Sequence, residues 1–145
     1  MVLRATLDTP ILIAGLSSRG ASNAILEGLV DQSFEAAVSV ALVLEYEDVL
    51  TRPQILSKLK NWSVEDVTDF LTNYAAIAYH AHPIYYQVKP ALTDKDDERV
   101  LECVIASQSQ FLVTMNLRHF VAAAERYNFT LATPPQFLEI LRRKN

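Results

Sequence analysis

Four side chains far apart in the chain are of types that could hold a hard cation or orient water: Asp8, Glu45, Asp97 and Asn116. Asp8 stands where an apolar opening run, residues 2–7, breaks at Asp8-Thr9-Pro10. Glu45 follows Leu42 by three residues and precedes Val49 by four, and Asp97 precedes Leu101 by four and Val104 by seven. Both acids therefore fall on or near the inward stripe of their own helices. A buried carboxylate without a partner is costly or takes up a proton, and no Lys or Arg stands at helical spacing to pair with Asp97 on its inward side. A divalent cation resolves this, because Mg²⁺ and Mn²⁺ prefer hard oxygen ligands and relieve the repulsion between clustered carboxylates. Zinc suits the chain less well, since His80, His82 and Cys103 lack a ligand spacing that fits it.

Each acid also admits a plainer reading. Asp94, Asp96, Asp97 and Glu98 could complement a helix dipole and cap a helix start. Asp8 could be a turn residue before Pro10, and Glu45, Glu47 and Asp48 could form one solvated face. What favours the cation is that the positions gather near one edge once the elements are drawn.

Residues 2–7 read as a strand that ends at Pro10, which cannot donate to a sheet ladder. Residues 11–16 fit a helix start or a continued apolar segment. Helices are expected over 22–30, over 41–51 before Pro53, over 63–78 and over 96–108. Ser63 caps the third of these, with Asp66 three residues on as a relative of the capping box. That helix carries Val64, Val67, Phe70, Leu71, Tyr74 and Ile77 at helical spacing, read as core. Strands are expected at 36–40, 85–88, 111–114 and 129–132, with helices at 117–127 and from Pro134-Pro135 onward. Strand and helix alternate throughout, which means βαβ units, a mainly parallel sheet and helices on both faces. In such a sheet, chemistry gathers outside the carboxyl ends of the strands. Asp8 and Asn116 both follow strands at that edge.

With 145 residues, the chain is expected to be a single domain spanning 1–145 around one core. Half of it is hydrophobic and about a fifth charged, a globular composition. The lone Cys103, within an apolar run, excludes a disulfide framework and reads as a small core residue. Asp8 and Pro10 interrupt the only run resembling a secretion signal, and no membrane-length stretch follows, so a cytoplasmic protein without membrane association is expected. A net charge of −4 and a pI near 5.3 argue against gripping nucleic acid by bulk electrostatics. They leave open an acidic site that meets phosphate through bound cations.

Several phrases then resemble a known family. Leu7-Asp8-Thr9-Pro10-Ile11-Leu12 comes first, then Ser39 with Leu44-Glu45-Tyr46-Glu47-Asp48-Val49-Leu50 and Arg52-Pro53. Asp94 and Asp97 follow with Val100-Leu101-Glu102-Cys103, then Phe111-Leu112-Val113-Thr114-Met115-Asn116-Leu117-Arg118-His119-Phe120. In this order they resemble PIN-domain proteins, and look closest to the branch of toxin components of toxin–antitoxin systems related to VapC toxins. The ending Thr133-Pro134-Pro135-Gln136-Phe137-Leu138 is similar to that branch's close. The resemblance implies a Rossmann-like three-layer α/β/α sandwich. It makes Asp8, Glu45 and Asp97 the first three acids and metal ligands, and Asn116 the occupant of a fourth, usually acidic, place. Thr114 takes a hydroxyl position beside it, and Asp94 an acidic position upstream of Asp97. Two departures stand out: Pro10 replaces a frequent Asn, and Asn116 removes one negative charge, so a second cation should bind more weakly.

The function these readings imply is hydrolysis of RNA phosphodiesters with Mg²⁺ or Mn²⁺, by the toxin of a toxin–antitoxin pair. The expected partners are RNA, a cognate antitoxin and a second copy of the chain in a homodimer, for which the helix over 63–78 is a candidate surface. A catalytically weak PIN-like binding module is the alternative, favoured by Asn116 and the modest basic surface. An Asp-based phosphotransfer domain fits poorly. Pro10 holds the place of the second Asp a phosphatase of that kind needs, and no Lys follows the last strand as a receiver requires.

Overall fold

The computed structural model describes residues 2–82 and 95–144. Five short runs pair into one sheet: β1 (Arg4–Leu7), β2 (Glu35–Val38), β3 (Tyr79–His80), β4 (Phe111–Val113) and β5 (Thr130–Ala132). Their order is β3-β2-β1-β4-β5 and every pairing is parallel. The helices are α1 (Thr9–Ser17), α2 (Ala21–Val30), α3 (Val40–Leu50), α4 (Pro53–Leu56), α5 (Val64–Ile77), α6 (Lys95–Ser107), α7 (Leu117–Tyr127) and α8 (Pro134–Lys144). Helix α2 packs against α1 and α8, whereas α3 packs against α5 and α6. The result is the three-layer α/β/α sandwich expected from the alternation of elements. Ala5, Thr6 and Leu7 of the central strand are wholly buried, as a parallel strand covered on both faces requires.

Local chemistry explains most boundaries. Asp8 has extended backbone and caps α1, accepting from the Thr9 amide at 3.0 Å. Pro10 sits in the first turn, where its missing N–H has no helical partner to lose. The undecided stretch 11–16 is thus helix. Ser39 accepts from the Leu42 amide at 3.1 Å, so α3 begins at Val40, a residue the sequence pattern assigned to the preceding strand. Ser63 and Asp66 make both bonds of a full capping box. Asn128 ends α7 in the left-handed region, with φ of 58°.

Two short elements were not anticipated. Helix α4 is a single turn launched by Pro53, and β3 is a dipeptide that extends the sheet beyond β2. The strand expected over 85–88 and the acid Asp94 lie outside the described residues. On α5 the expected apolar stripe is shorter than its spacing suggested. Val67, Leu71 and Tyr74 are buried, but Val64 and Ile77 at the helix ends are about half exposed.

One buried contact ties the two halves of the sandwich at the sheet's carboxyl edge. The Tyr46 hydroxyl, on α3, donates to the Leu7 carbonyl at the end of β1. Its ring meets Tyr74 edge-on, with centroids 5.8 Å apart, and Tyr74 continues into Phe70 and Trp62. Because Tyr46 follows Glu45 and Leu7 precedes Asp8, this bond also sets the distance between two candidate site residues. Tyr46→Phe should keep the packing and lose the bond, lowering stability by about 1–3 kcal/mol in urea unfolding. An unchanged midpoint would show that the bond carries no net free energy.

Candidate active site

The chain runs from β1 outward to β2 and β3, then returns to the other side of β1 as β4 and β5. The direction therefore reverses between β1 and β4, the point where open α/β sheets form their crevice. Asp8 follows β1 there and Thr114 follows β4. The Asp8 amide donates to the Val113 carbonyl at 3.0 Å, closing the two strand ends together. Thr114 Oγ1 donates to Asp8 Oδ2 at 2.8 Å and accepts from the Asn116 amide at 3.0 Å. Asn116 itself caps α7 by position but makes no side-chain capping bond, and it is exposed.

Glu45 reaches the same crevice from α3 and is 4% exposed. Arg99 Nη1, from α6, donates to its Oε1 at 3.1 Å. Asp97, also from α6, lies 3.1 Å from His119 Nδ1 on α7. Asp8, Glu45, Asp97 and Asn116 all line one cavity of about 240 Å³, together with Thr9, Arg52 and His119. All five candidate residues therefore meet at one place, Thr114 through its bond to Asp8. A larger cleft of about 420 Å³, lined by Ser39, Val40, Leu44 and Ala81 among others, is mainly apolar and contains none of them.

Burial raises the pKa of Asp8 above the ordinary carboxylate value, Asp97's charge raises it further, and the bonds from Thr114 and Thr9 act against both. A second carboxylate close enough to raise the proton affinity of Asp8 makes a setting in which a divalent cation binds well. The buried Thr9 hydroxyl adds an oxygen at the cavity wall with no hydrogen-bond partner among the described residues. By donor chemistry the residues fit a hard cation. By distance they do not yet converge: no group of three or more His, Cys, Asp or Glu side chains among the described residues is arranged to hold a metal ion. Arg99 and His119 hold Glu45 and Asp97 in their present orientations, so gathering these acids about an ion requires side-chain rotation.

Sequence reasoning missed the basic partners. It found no base near Asp97 because it searched within one helix, and His119 arrives from the next one. Arg99 was overlooked because its partner Glu45 is on a different helix altogether. Arg52 and His119 did stand inside the phrases quoted above, which was the available signal, but nothing in their spacing gave them a role.

The sequence profile of the PIN domain matches residues 4–118, most of the chain. The chain belongs to the PIN-domain family. No curated protein matches it significantly. Family membership gives this crevice a nuclease-like setting, since PIN domains are generally metal-dependent nucleases. No helix among the described residues is long and apolar enough to cross a membrane.

Two outcomes follow from the buried titratable groups. Cys103 is fully buried, and burial pushes its thiol up to about 11 against opposing bonds from Thr6 and Ser39. It should resist thiol reagents at neutral pH in the folded protein and react fully once unfolded; rapid labelling of native protein would contradict the burial. For Asp8, a folded-state pKa above the unfolded value means that the fold loses stability as pH rises through that window. Asp8→Asn removes this titration, although its amide N–H must face one of the two donors that Asp8 accepts from. With chelator present, the stability of wild type relative to the variant should therefore fall as pH rises through that window, whatever the variant's absolute stability. A relative stability that rises with pH instead would refute the burial penalty.

Proposed function

We propose that this PIN domain is a ribonuclease that hydrolyses RNA phosphodiester bonds with Mg²⁺ or Mn²⁺, as the toxin component of a toxin–antitoxin system. The observation that carries the nuclease reading is the meeting of Asp8, Glu45 and Asp97, separated by dozens of residues in sequence, at one cavity beyond the ends of β1 and β4. In this reading Asp8, Asp97 and Glu45 hold the cation. When bound, a divalent cation acidifies water and stabilises charge growing on phosphate oxygens. Thr114 orients the Asp8 carboxylate through its 2.8 Å bond. Asn116, at the mouth of the cavity, orients water or substrate as a neutral donor and acceptor. His119, beside Asp97, can exchange that contact for one to substrate or solvent.

The toxin assignment rests on the resemblance of the quoted phrases to the VapC-like branch. It brings with it a cytoplasmic location, an antitoxin that covers the acidic crevice with a basic side chain, and a homodimer. A second reading, a PIN module that binds without cleaving, has its own support. The three acids are already engaged by Arg99, His119 and Thr114, and Asn116 supplies no fourth charge.

Incubation of mixed single-stranded RNA with wild type and Asp97→Ala, with Mn²⁺ and with chelator, separates the two. Cleavage by wild type in Mn²⁺ alone, reduced by about a hundredfold or more in Asp97→Ala, is expected. RNA binding without cleavage, together with no Mn²⁺ uptake at millimolar levels, selects the inert module. Growth arrest on expression, relieved by a small co-purifying protein, is the expected mark of a toxin, and its absence would remove that part of the assignment.

A further inference from the structure

Arg52 has no assigned role in the reading above, yet it lines the cavity that holds the acids. Its place is set by sequence. Helix α3 ends at Leu50, and Pro53 disfavours helical backbone at the residue before it. Arg52 accordingly adopts an extended conformation, with φ of −62° and ψ of 134°, and starts α4. The side chain returns along α3 to Asp48 Oδ2 at 2.8 Å, one turn back.

We propose that Arg52 is the phosphate-binding residue of the substrate cleft, receiving an RNA backbone phosphate next to the bond to be cleaved; this rests on the ribonuclease reading. A polyanion approaching three carboxylates on a chain of net charge −4 needs a positive group at the entrance. Among the described residues, three basic side chains stand at or beside this cavity, and their partners distinguish them. Arg99 is bound to Glu45, a nearly buried acid. His119 is bound to Asp97, whose side chain is 15% exposed. Arg52 is bound to Asp48, an acid that is 69% exposed and does not line the cavity. An exposed pair of this kind holds the guanidinium in place at low strength. Exchanging Asp48 for a phosphate therefore leaves no buried charge behind, unlike withdrawing Arg99 from Glu45. The planar guanidinium also suits two-point contact with phosphate oxygens.

The test compares wild type, Arg52→Gln, Arg52→Lys and Arg143→Gln in Mn²⁺ on a labelled single-stranded oligoribonucleotide over a range of KCl concentrations. Arg143 is a matched control: it too forms an exposed pair one helical turn from its partner, Glu139, but it sits on α8 away from the cavity. Arg52→Gln should raise KM about tenfold with kcat little changed, as loss of one charge-assisted contact implies. The slope of log(kcat/KM) against log[KCl] should become shallower by about 0.7, the value for one phosphate on a single strand. Arg52→Lys should restore the slope and part of the KM. Arg143→Gln should match wild type, and Mn²⁺ affinity by calorimetry should not fall in any variant. If wild type cleaves and Arg52→Gln keeps both KM and slope, the Arg52 assignment is overturned while the ribonuclease reading stands. If wild type neither binds nor cleaves RNA in Mn²⁺, the reading and the assignment fall together.

Discussion

A carboxylate at the end of a central parallel strand loses most of its hydration, and the neighbouring structure is arranged around that loss. Asp8 is 5% exposed, and two separate segments supply what water would have given its carboxylate. The Thr9 amide comes from the first turn of α1, whose positive dipole end also faces the charge. The Thr114 hydroxyl comes from the loop after β4, and the strand ends are locked by the Asp8 amide on Val113. Tyr46 then fixes the Leu7 carbonyl from above. Moving any of these segments would leave a buried charge with fewer partners, so the position of Asp8 constrains the ends of β1 and β4 and the start of α1.

The rest of the crevice follows from that anchor. Helix α3 is held to β1 by Tyr46, and the next residue back in sequence, Glu45, therefore falls beside Asp8 on the cavity wall. Helix α6 brings Asp97 and Arg99, two residues apart, to different acids' surroundings: Arg99 meets Glu45, while Asp97 faces Asp8 and is met by His119. Acidic and basic groups thus alternate around the opening. That alternation reconciles a concentration of carboxylates with a stable fold, because each nearly buried acid has a donor within hydrogen-bonding reach.

Much of this was readable before any coordinates. The alternation of strand and helix signals gave the layer architecture, and the inward spacing of Glu45 and Asp97 marked them as acids needing a partner. The break at Asp8-Thr9-Pro10 located the end of β1. What was not readable depends on contacts between elements. Periodicity within α6 says nothing about His119 on α7, and nothing in α3 announces Arg99. Strand β3 is two residues long, too short for any alternation to register, and exists because β2 offers it an edge. Val40 continues the compact apolar run that reads as a strand, but the Ser39 hydroxyl caps a helix that starts there. Val64 and Ile77 match the period of α5, but the core does not extend to either end of that helix.

The hydroxyl of Thr114 carries one proton, and the direction of that proton is determined. Since the Asn116 N–H points at this oxygen, the hydroxyl's own hydrogen must go to Asp8 Oδ2. The other carboxylate oxygen faces the Thr9 N–H. Both oxygens of Asp8 are thus met by hydrogens, and a proton arriving on Oδ2 would require the Thr114 hydroxyl to turn away and accept instead. The wiring works against burial, which still raises the pKa overall, and it sets the orientation of the carboxylate at the strand end before anything binds.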